Sequence, residues 1–283
     1  MPNPLVKPYL KWAGGKRQLL PEIKKYLPQK FSSYKYYEPF LGAGAVFFDK
    51  QPSKAVVNDH NEQLILTYKV IRDSVNELID ALKIHSEKNN DEYYYEIRAK
   101  DRETETFNKL SDIEKAARLI FLNKTCYNGL YRVNAQGLFN APYGKYKNPA
   151  ICDESVLKAI HKYLATHDDI KIISGDFATA AQTADSNSFV YFDPPYHSTD
   201  NTNFTGYQAD KFDENEQRRL CAIYTILTEN GVKCLLSNSD TAFIRDLYSD
   251  NRFEIITVTA KRAINSNASG RGDVNELLIK NWR

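Results

Sequence analysis

Cysteine is scarce. Cys126, Cys152, Cys221 and Cys234 are the only four in 283 residues, and none forms a Cys-x-x-Cys pair. Neither a zinc knuckle nor a disulfide framework is indicated. The five histidines (His60, His85, His161, His167, His197) lack metal-ligand spacing with cysteines or carboxylates, so no metal is expected. No serine or cysteine carries a nucleophile-plus-base signature. No run approaches the roughly 18 apolar residues of a membrane-spanning helix. The first ten residues are proline-rich without the apolar centre of a signal peptide, so the expected compartment is the cytoplasm. Charge of one sign is missing too: 38 Lys plus Arg face 36 Asp plus Glu, a formal net charge of +2. That excludes a histone-like basic protein and an acidic disordered tail. No fixed-period repeat and no low-complexity linker divides the chain.

What is present argues for a folded protein. Hydrophobic residues make up 42% of the chain, and 19 Tyr and 14 Phe are incompatible with disorder. The length fits one large domain or two modest ones, with a core that needs no covalent staples. The near-neutral mean hides three basic segments. Residues 1–35 carry Lys7, Lys11, Lys16, Arg17, Lys24, Lys25, Lys30 and Lys35 against Glu22 alone. Residues 124–148 carry Lys124, Arg132, Lys145 and Lys147 with no acid, and residues 261–271 carry Lys261, Arg262 and Arg271 with none. If folding brings these segments to one face, that face suits a polyanion; as solvated helix surface they need no partner.

Apolar patterning predicts short strands near 34–38, 55–58, 170–173, 189–192, 234–237, 253–258 and 276–280. Apolar residues recur at helical spacing from 61 to about 124, and 216–227 is a further helix candidate. The stretch 127–149 is rich in Gly, Asn, Tyr and Pro and reads as a turn-rich hairpin or loop. Strand–helix alternation at both ends around a helical middle predicts an α/β sheet interrupted by an insertion near 62–168.

Four motifs carry candidate chemistry. In Glu38-Pro39-Phe40-Leu41-Gly42-Ala43-Gly44 a strand runs into a glycine turn, and Asp59 follows the next strand. Such glycines let backbone approach a ligand, and such an acid suits ribose hydroxyls. Phe47 stands where the third glycine of a dinucleotide fingerprint belongs, which disfavours NAD. In Val190-Tyr191-Phe192-Asp193-Pro194-Pro195-Tyr196 an apolar strand meets an acid, two prolines and an aromatic ring. The prolines rigidify the turn and remove backbone donors. The turn can thus offer a carboxylate and a carbonyl to one amino group, with a ring to stack beside it. Lys11-Trp12-Ala13-Gly14-Gly15-Lys16 could hold an anion, but Arg17 after the lysine spoils a phosphate-binding P-loop. The fourth motif, Tyr127-Asn128-Gly129-Leu130-Tyr131-Arg132-Val133-Asn134 continuing to Asn140-Ala141-Pro142-Tyr143-Gly144-Lys145-Tyr146, mixes Arg, Lys, Asn and aromatics without acids. It suits base reading and stacking, or equally a packed tyrosine-rich hairpin.

In this order, and with Asn203-Phe204-Thr205-Gly206-Tyr207 after them, these motifs resemble the Dam family of DNA adenine-N6 methyltransferases, GATC-type and D12 class. The resemblance runs along nearly the whole chain. It implies S-adenosyl-L-methionine as cofactor, double-stranded DNA as substrate and GATC as target. It also implies an α/β fold: a Rossmann-like methyltransferase sheet (1–61 and 169–283) with an inserted helical and β-hairpin DNA-recognition domain (62–168). A restriction endonuclease acting separately is a possible partner; no membrane is implied.

Matched residue by residue, Trp12 and Lys16 correspond to the family's N-terminal cofactor contacts. Glu38, Pro39 and Phe40 would lie under the methionine and ribose, with Gly42 in the same turn. Asp59 would bind the ribose hydroxyls, and Asp176 and Phe177 the cofactor's adenine. In the recognition segment Tyr127 matches an intercalating aromatic, Arg132 a guanine reader, and Leu130 and Pro142 a pair contacting thymine. Asn128 and Asn134 match backbone-contacting positions, and Lys11 a residue reaching the first bases of the site. Tyr146 belongs to the same DNA-contacting set, and Lys145 stands where some relatives carry Arg. The implied catalytic residues are Asp193, which also borders the cofactor, with Pro194 and Tyr196. The alternatives are a cytosine-N4 or RNA methyltransferase, an inactive DNA-binding module, and an NAD-dependent oxidoreductase.

Overall fold

The computed structural model describes residues 2–12, 14–16, 18–198, 212–261 and 273–283. The motif at 203–207 and the basic residues Arg17, Arg262 and Arg271 lie outside the described residues. Among those described, no helix is long and apolar enough to cross a membrane.

A seven-stranded sheet organises the molecule. Its strands are β1 (Lys35–Glu38), β2 (Ala55–Asp59), β3 (Ile170–Ser174), β4 (Ser188–Phe192), β5 (Lys233–Ser239), β6 (Glu254–Lys261) and β7 (Asp273–Lys280), in spatial order β3-β2-β1-β4-β5-β7-β6. The first five are parallel; β7 runs antiparallel between β5 and β6. Every residue of β4 is buried, as a strand covered on both faces requires. The edge strand β3 instead alternates between buried and exposed positions.

Alternate side chains along the strands feed two cores. Tyr36, Val57, Ile172, Phe189, Tyr191 and Leu235 point to one side. There they join α1 (Leu20–Lys25), α2 (Ala45–Lys50), α3 (Glu62–Asp73), α4 (Val75–Lys88), α5 (Asp91–Ala99), α7 (Asp112–Thr125) and α8 (Glu154–Ala165). Tyr37, Val56, Val190, Phe192, Cys234 and Leu236 point to the other side, against α9 (Phe177–Ala181), α10 (Glu214–Glu229) and α11 (Ala242–Leu247). The inserted helices therefore continue the core of one sheet face. Among the described residues the helical stretch after Asn61 comprises α3, α4, α5, α6 (Thr104–Lys109) and α7. Asn61, Asn90 and Ser111 cap α3, α5 and α7 through side-chain oxygens, and Glu114 completes a capping box. Each such cap stabilises its helix by about 1 kcal/mol.

The predicted strands agree with the structure to within a few residues. The sequence pattern does not reveal helices α1, α8, α9 and α11. α9 and α11 are too short to display a helical period. The 127–149 stretch is irregular, as expected. Its strand-like pairing is limited to the isolated bridges Cys126↔Tyr143 and Val133↔Phe139, and turn bonds such as Asn134 N–H to the Leu138 carbonyl and Asn140 N–H to the Arg132 carbonyl hold the rest.

Candidate active site

The strand order reverses between β1 and β4, and open α/β sheets form their ligand crevice at that point. Three acids stand there: Glu38 ends β1, Asp59 ends β2, and Asp193 follows β4. The Glu38 carboxylate is buried and accepts a hydrogen bond from the Tyr36 hydroxyl at 2.7 Å. Burial pushes its carboxyl well above the ordinary range, and Asp193 and Asp59 add to the shift. Asp59 is raised by burial as well, opposed by the N–H groups of Asn61 (2.9 Å) and Gly42 (2.8 Å), which donate to its two oxygens. Gly42 has φ +50°, and a Cβ there would lie 3.1 Å from the Trp12 ring, so the turn needs glycine.

The Asp193 turn is held from several elements. On Asp193, Oδ1 lies 2.7 Å from the Lys16 ammonium and accepts from the Ser237 hydroxyl of β5 at 2.9 Å. Burial raises the Asp193 carboxyl; the Lys16 charge and these bonds act against the shift. The same ammonium donates to the Gly14 carbonyl at 2.6 Å and lies 4.4 Å from the Tyr196 ring centroid. Gln217 of α10 donates to the Pro195 carbonyl at 2.9 Å and accepts from Asn238 of β5 at 3.0 Å. Asn238 in turn accepts from the His197 N–H at 3.1 Å. Both amides are fully buried. Tyr196 donates its hydroxyl proton to Glu276 of β7 at 2.7 Å. Among the described residues, the Pro194 carbonyl accepts no hydrogen bond.

Toward the β2–β3 side, Phe40 stacks on Phe177 with centroids 5.1 Å apart, and Phe212 meets both rings at 5.6 and 5.8 Å. Asp176 caps α9 by accepting from the Ala178 N–H and pairs with Arg219 at 2.5 Å, which holds its carboxyl below the ordinary value. Asn58 donates to the carbonyls of Pro39 and Gly175, both at 3.0 Å, and so ties the loop after β1 to the loop after β3. Its Oδ1 is buried without a partner.

The 127–146 segment leaves several of its side chains in solvent. Tyr127 (60%), Leu130 (37%) and Tyr146 (38%) are among the exposed large hydrophobic side chains. Asn128, Pro142, Lys145 and Lys11 are also exposed. The segment is anchored from beneath. Tyr94 donates to the Ala141 carbonyl at 2.9 Å, and buried Asp101, paired with buried Arg118 at 2.9 Å, accepts from the Phe139 N–H at 2.9 Å. Asn134 Oδ1 accepts from the N–H groups of Gln136 and Leu138, both at 3.0 Å, and shapes the hairpin tip. Arg132 leans on Asn140, donating to its side-chain oxygen at 2.8 Å and its carbonyl at 3.2 Å. Gly129 has φ +64°, and a Cβ there would come within 2.5 Å of Lys11 Cδ. Trp12 stacks on Tyr131 at 4.7 Å while its edge touches Gly42, so one ring joins the hairpin to the glycine turn.

The predicted residues thus form two groups. Lys16, Glu38, Gly42, Asp59, Asp193 and Tyr196 line or border the crevice, with Pro39, Phe40, Asp176 and Phe177 on its β3 side. Lys11 and the 127–146 residues form a surface linked to it through Trp12. Sequence reasoning missed Asn58, Gln217, Ser237, Asn238 and Glu276. A usable signal existed for two of these: Ser237-Asn238-Ser239 places three polar residues at the end of an otherwise apolar strand, the edge where such sheets bind ligands.

The D12 class N6 adenine-specific DNA methyltransferase family matches residues 12–264. The chain is 41% identical over 278 residues to the type II methyltransferase M1.LlaDCHI of Lactococcus lactis subsp. cremoris, covering 98% of this chain and 96% of that one. It is 43% identical over 294 residues to the type II methyltransferase M.MjaIII of Methanocaldococcus jannaschii, covering 98% and 99%. It is 35% identical over 274 residues to the DNA adenine methylase of Escherichia coli K12, covering 95% and 93%.

Proposed function

The chain belongs to the D12 class of N6 adenine-specific DNA methyltransferases, and from that premise we propose that it methylates adenine N6 within GATC in double-stranded DNA, after flipping the base from the helix, with S-adenosyl-L-methionine as methyl donor. The single observation that carries this reading is the Asp193 turn, where a carboxylate at the crevice shares the Lys16 ammonium with the Tyr196 ring and the adjoining Pro194 carbonyl accepts no hydrogen bond among the described residues.

The residues fit the cofactor. Glu38, Asp59 and Asp193 form an acidic donor set suited to a ligand with two cationic centres and a ribose diol. The partnerless Asn58 Oδ1 is one more acceptor, between the loops after β1 and β3. Trp12, Lys16, Glu38, Pro39, Phe40, Gly42 and Asp59 would hold the methionine and ribose portions, and Asp176 and Phe177 the adenine. When bound, the cofactor supplies an electrophilic methyl on a sulfonium.

The remaining chemistry falls to the chain. Asp193 is largely buried, so an adenine still stacked in a duplex could not reach it, and the base must leave the helix. The N6 lone pair is delocalised into the ring, which makes the nitrogen a poor nucleophile. Lys16 and Ser237 both contact Asp193 Oδ1, which leaves Oδ2 for the substrate. Oδ2 and the Pro194 carbonyl accept the two N–H bonds and draw the nitrogen toward a pyramidal geometry. Lys16 favours the ionised, accepting form of Asp193 against its burial. Tyr196 stacks on the base. Positioning and electrostatics then supply the rate enhancement.

The exposed side chains of Tyr127, Leu130 and Tyr146, with Lys11, Asn128, Arg132, Asn134, Pro142 and Lys145, form the base-reading and phosphate-contacting surface. On this reading 62–168 is the recognition part of the chain and the remainder the catalytic part. The type II names of two relatives favour a role as the modification half of a restriction system, with the endonuclease acting separately. The test is methylation of a GATC-rich plasmid with labelled S-adenosyl-L-methionine, followed by digestion with enzymes sensitive to GATC methylation. Label in N6-methyladenine with altered GATC cutting is the expected result. Label without altered cutting overturns the target, and no label overturns the activity.

A further inference from the structure

We propose that Glu276 is a positioning residue for methyl transfer, acting through the Tyr196 hydroxyl to fix the ring that receives the target base. The inference rests on Tyr196 being the stacking platform. Backbone bonds anchor the turn on either side of that residue, at the Pro195 carbonyl and the His197 N–H. They fix where the Tyr196 Cα lies but leave its side-chain rotamer open. The far end of the ring is held by Glu276, whose Oε2 accepts the hydroxyl proton at 2.7 Å. The hydroxyl lies on the ring's own rotation axis. Anchoring it therefore fixes χ1, and the preference of a phenolic O–H for the ring plane biases χ2.

Glu276 is a firm anchor because of its place in the sheet. It sits on β7 opposite Ser239 of β5 and Val258 of β6, hydrogen-bonded strand on both sides. Burial and the neighbouring carboxylates push the Tyr196 hydroxyl well above its ordinary value, so it stays protonated and donates. A carboxylate acceptor makes this bond charge-assisted. It also enriches the ring beneath the Lys16 ammonium. The arrangement has a cost, since the Glu276 charge helps push the Asp193 carboxyl up. A residue needed only to fill space in β7 would carry no charge toward the reacting acid.

The test uses the full chain with E276A, E276Q, Y196F, Y196A and the double variant E276A/Y196F. Single-turnover methylation, S-adenosyl-L-methionine binding, melting, and fluorescence of 2-aminopurine at the target base are read for each. E276A and Y196F are each expected to slow the single turnover by about 10- to 100-fold and to change the 2-aminopurine signal, the scale set by small misplacements of a reacting group. Cofactor binding should change less than about twofold. The double variant should be no slower than the slower single one, because both remove the same bond. E276Q, which keeps an acceptor, should recover most of the rate. Wild-type rates in E276A and Y196F, or effects that multiply in the double variant, overturn the inference. If E276A melts early, Y196F decides, because it cuts the same bond without altering β7. Slow Y196A beside fast Y196F and E276A removes the Glu276 role alone; wild-type Y196A removes the platform reading itself.

Discussion

Between Asp193 and His197 the turn after β4 is bonded to α10, β5, β7 and the N-terminal glycine turn. Between Cys126 and Tyr146 the chain makes two isolated bridges and leaves three large apolar side chains in solvent. The first region is fixed by buried side chains reaching in from elsewhere in the sequence. The second is anchored from below and open above. The contrast follows from what each would bind. A group that bends one amino nitrogen out of plane must be in place beforehand, since reorganising it during the reaction would forfeit the electrostatic gain. A surface that reads a duplex needs rings and cations free to meet bases and phosphates.

Substitutions can break this contrast, and the largest effect belongs to the fixed region. Asp193→Ala should lower turnover by about 1000-fold with DNA binding nearly intact, the scale of losing a preorganised electrostatic contact; a tenfold loss or less would remove Asp193 from the chemistry. Gln217→Leu strands the buried Asn238 amide and frees the Pro195 carbonyl. It should cost about 1–3 kcal/mol of stability by chemical denaturation, and turnover should fall further than that loss explains. In the open region, Arg132→Ala should cost about 1–3 kcal/mol of binding and relax discrimination at one base pair, measured with cognate and single-variant duplexes. Unchanged discrimination would move the reading role to another side chain. Lys145→Ala should weaken binding about equally for all sequences and reduce the slope of log affinity against log salt by about 1.

The smallest effect concerns stability. Burial holds the Glu38 carboxyl well above its usual 4.5, so the folded protein binds that proton more tightly than the unfolded chain does. The stability it contributes is complete below about 4.5 and is lost as pH rises through the raised value. At neutral pH Glu38→Gln should therefore raise the melting temperature by a few degrees while weakening cofactor binding; the gain should vanish in acid.

Much of the sheet was legible because its strands are short apolar runs bounded by polar turns. Val190-Tyr191-Phe192 reads as a buried strand in any context, and Asp193 announces its end. Glycines and prolines marked both sharp turns of the crevice. What stayed hidden were partners supplied from far along the chain. Nothing around Gln217 separates it from a solvated helix residue, yet it is fully buried against the Asp193 turn. Glu276 reads as a polar cap on an apolar strand until β7 is known to lie beside β5. The pairing of Asp176 with Arg219 spans 43 residues and has no local signature. Pattern reveals which elements form; a relay between elements emerges only from their packing.

The antiparallel β7 also governs the order in which the protein can be completed. In chain order β6 precedes β7, but among the described residues β6 is joined to the sheet only through β7. While the chain is being made, β6 emerges with no strand to bond, and the edge of β5 stays open until β7 arrives. A chain broken before Asp273 would keep Asp193 and the parallel strands yet lose the acceptor for Tyr196, and it would expose two unpaired edges to other chains. If Glu276 positions Tyr196 as proposed, full turnover and solubility are acquired in the same late step, and damage at this end of the sequence would be felt as aggregation as much as lost turnover.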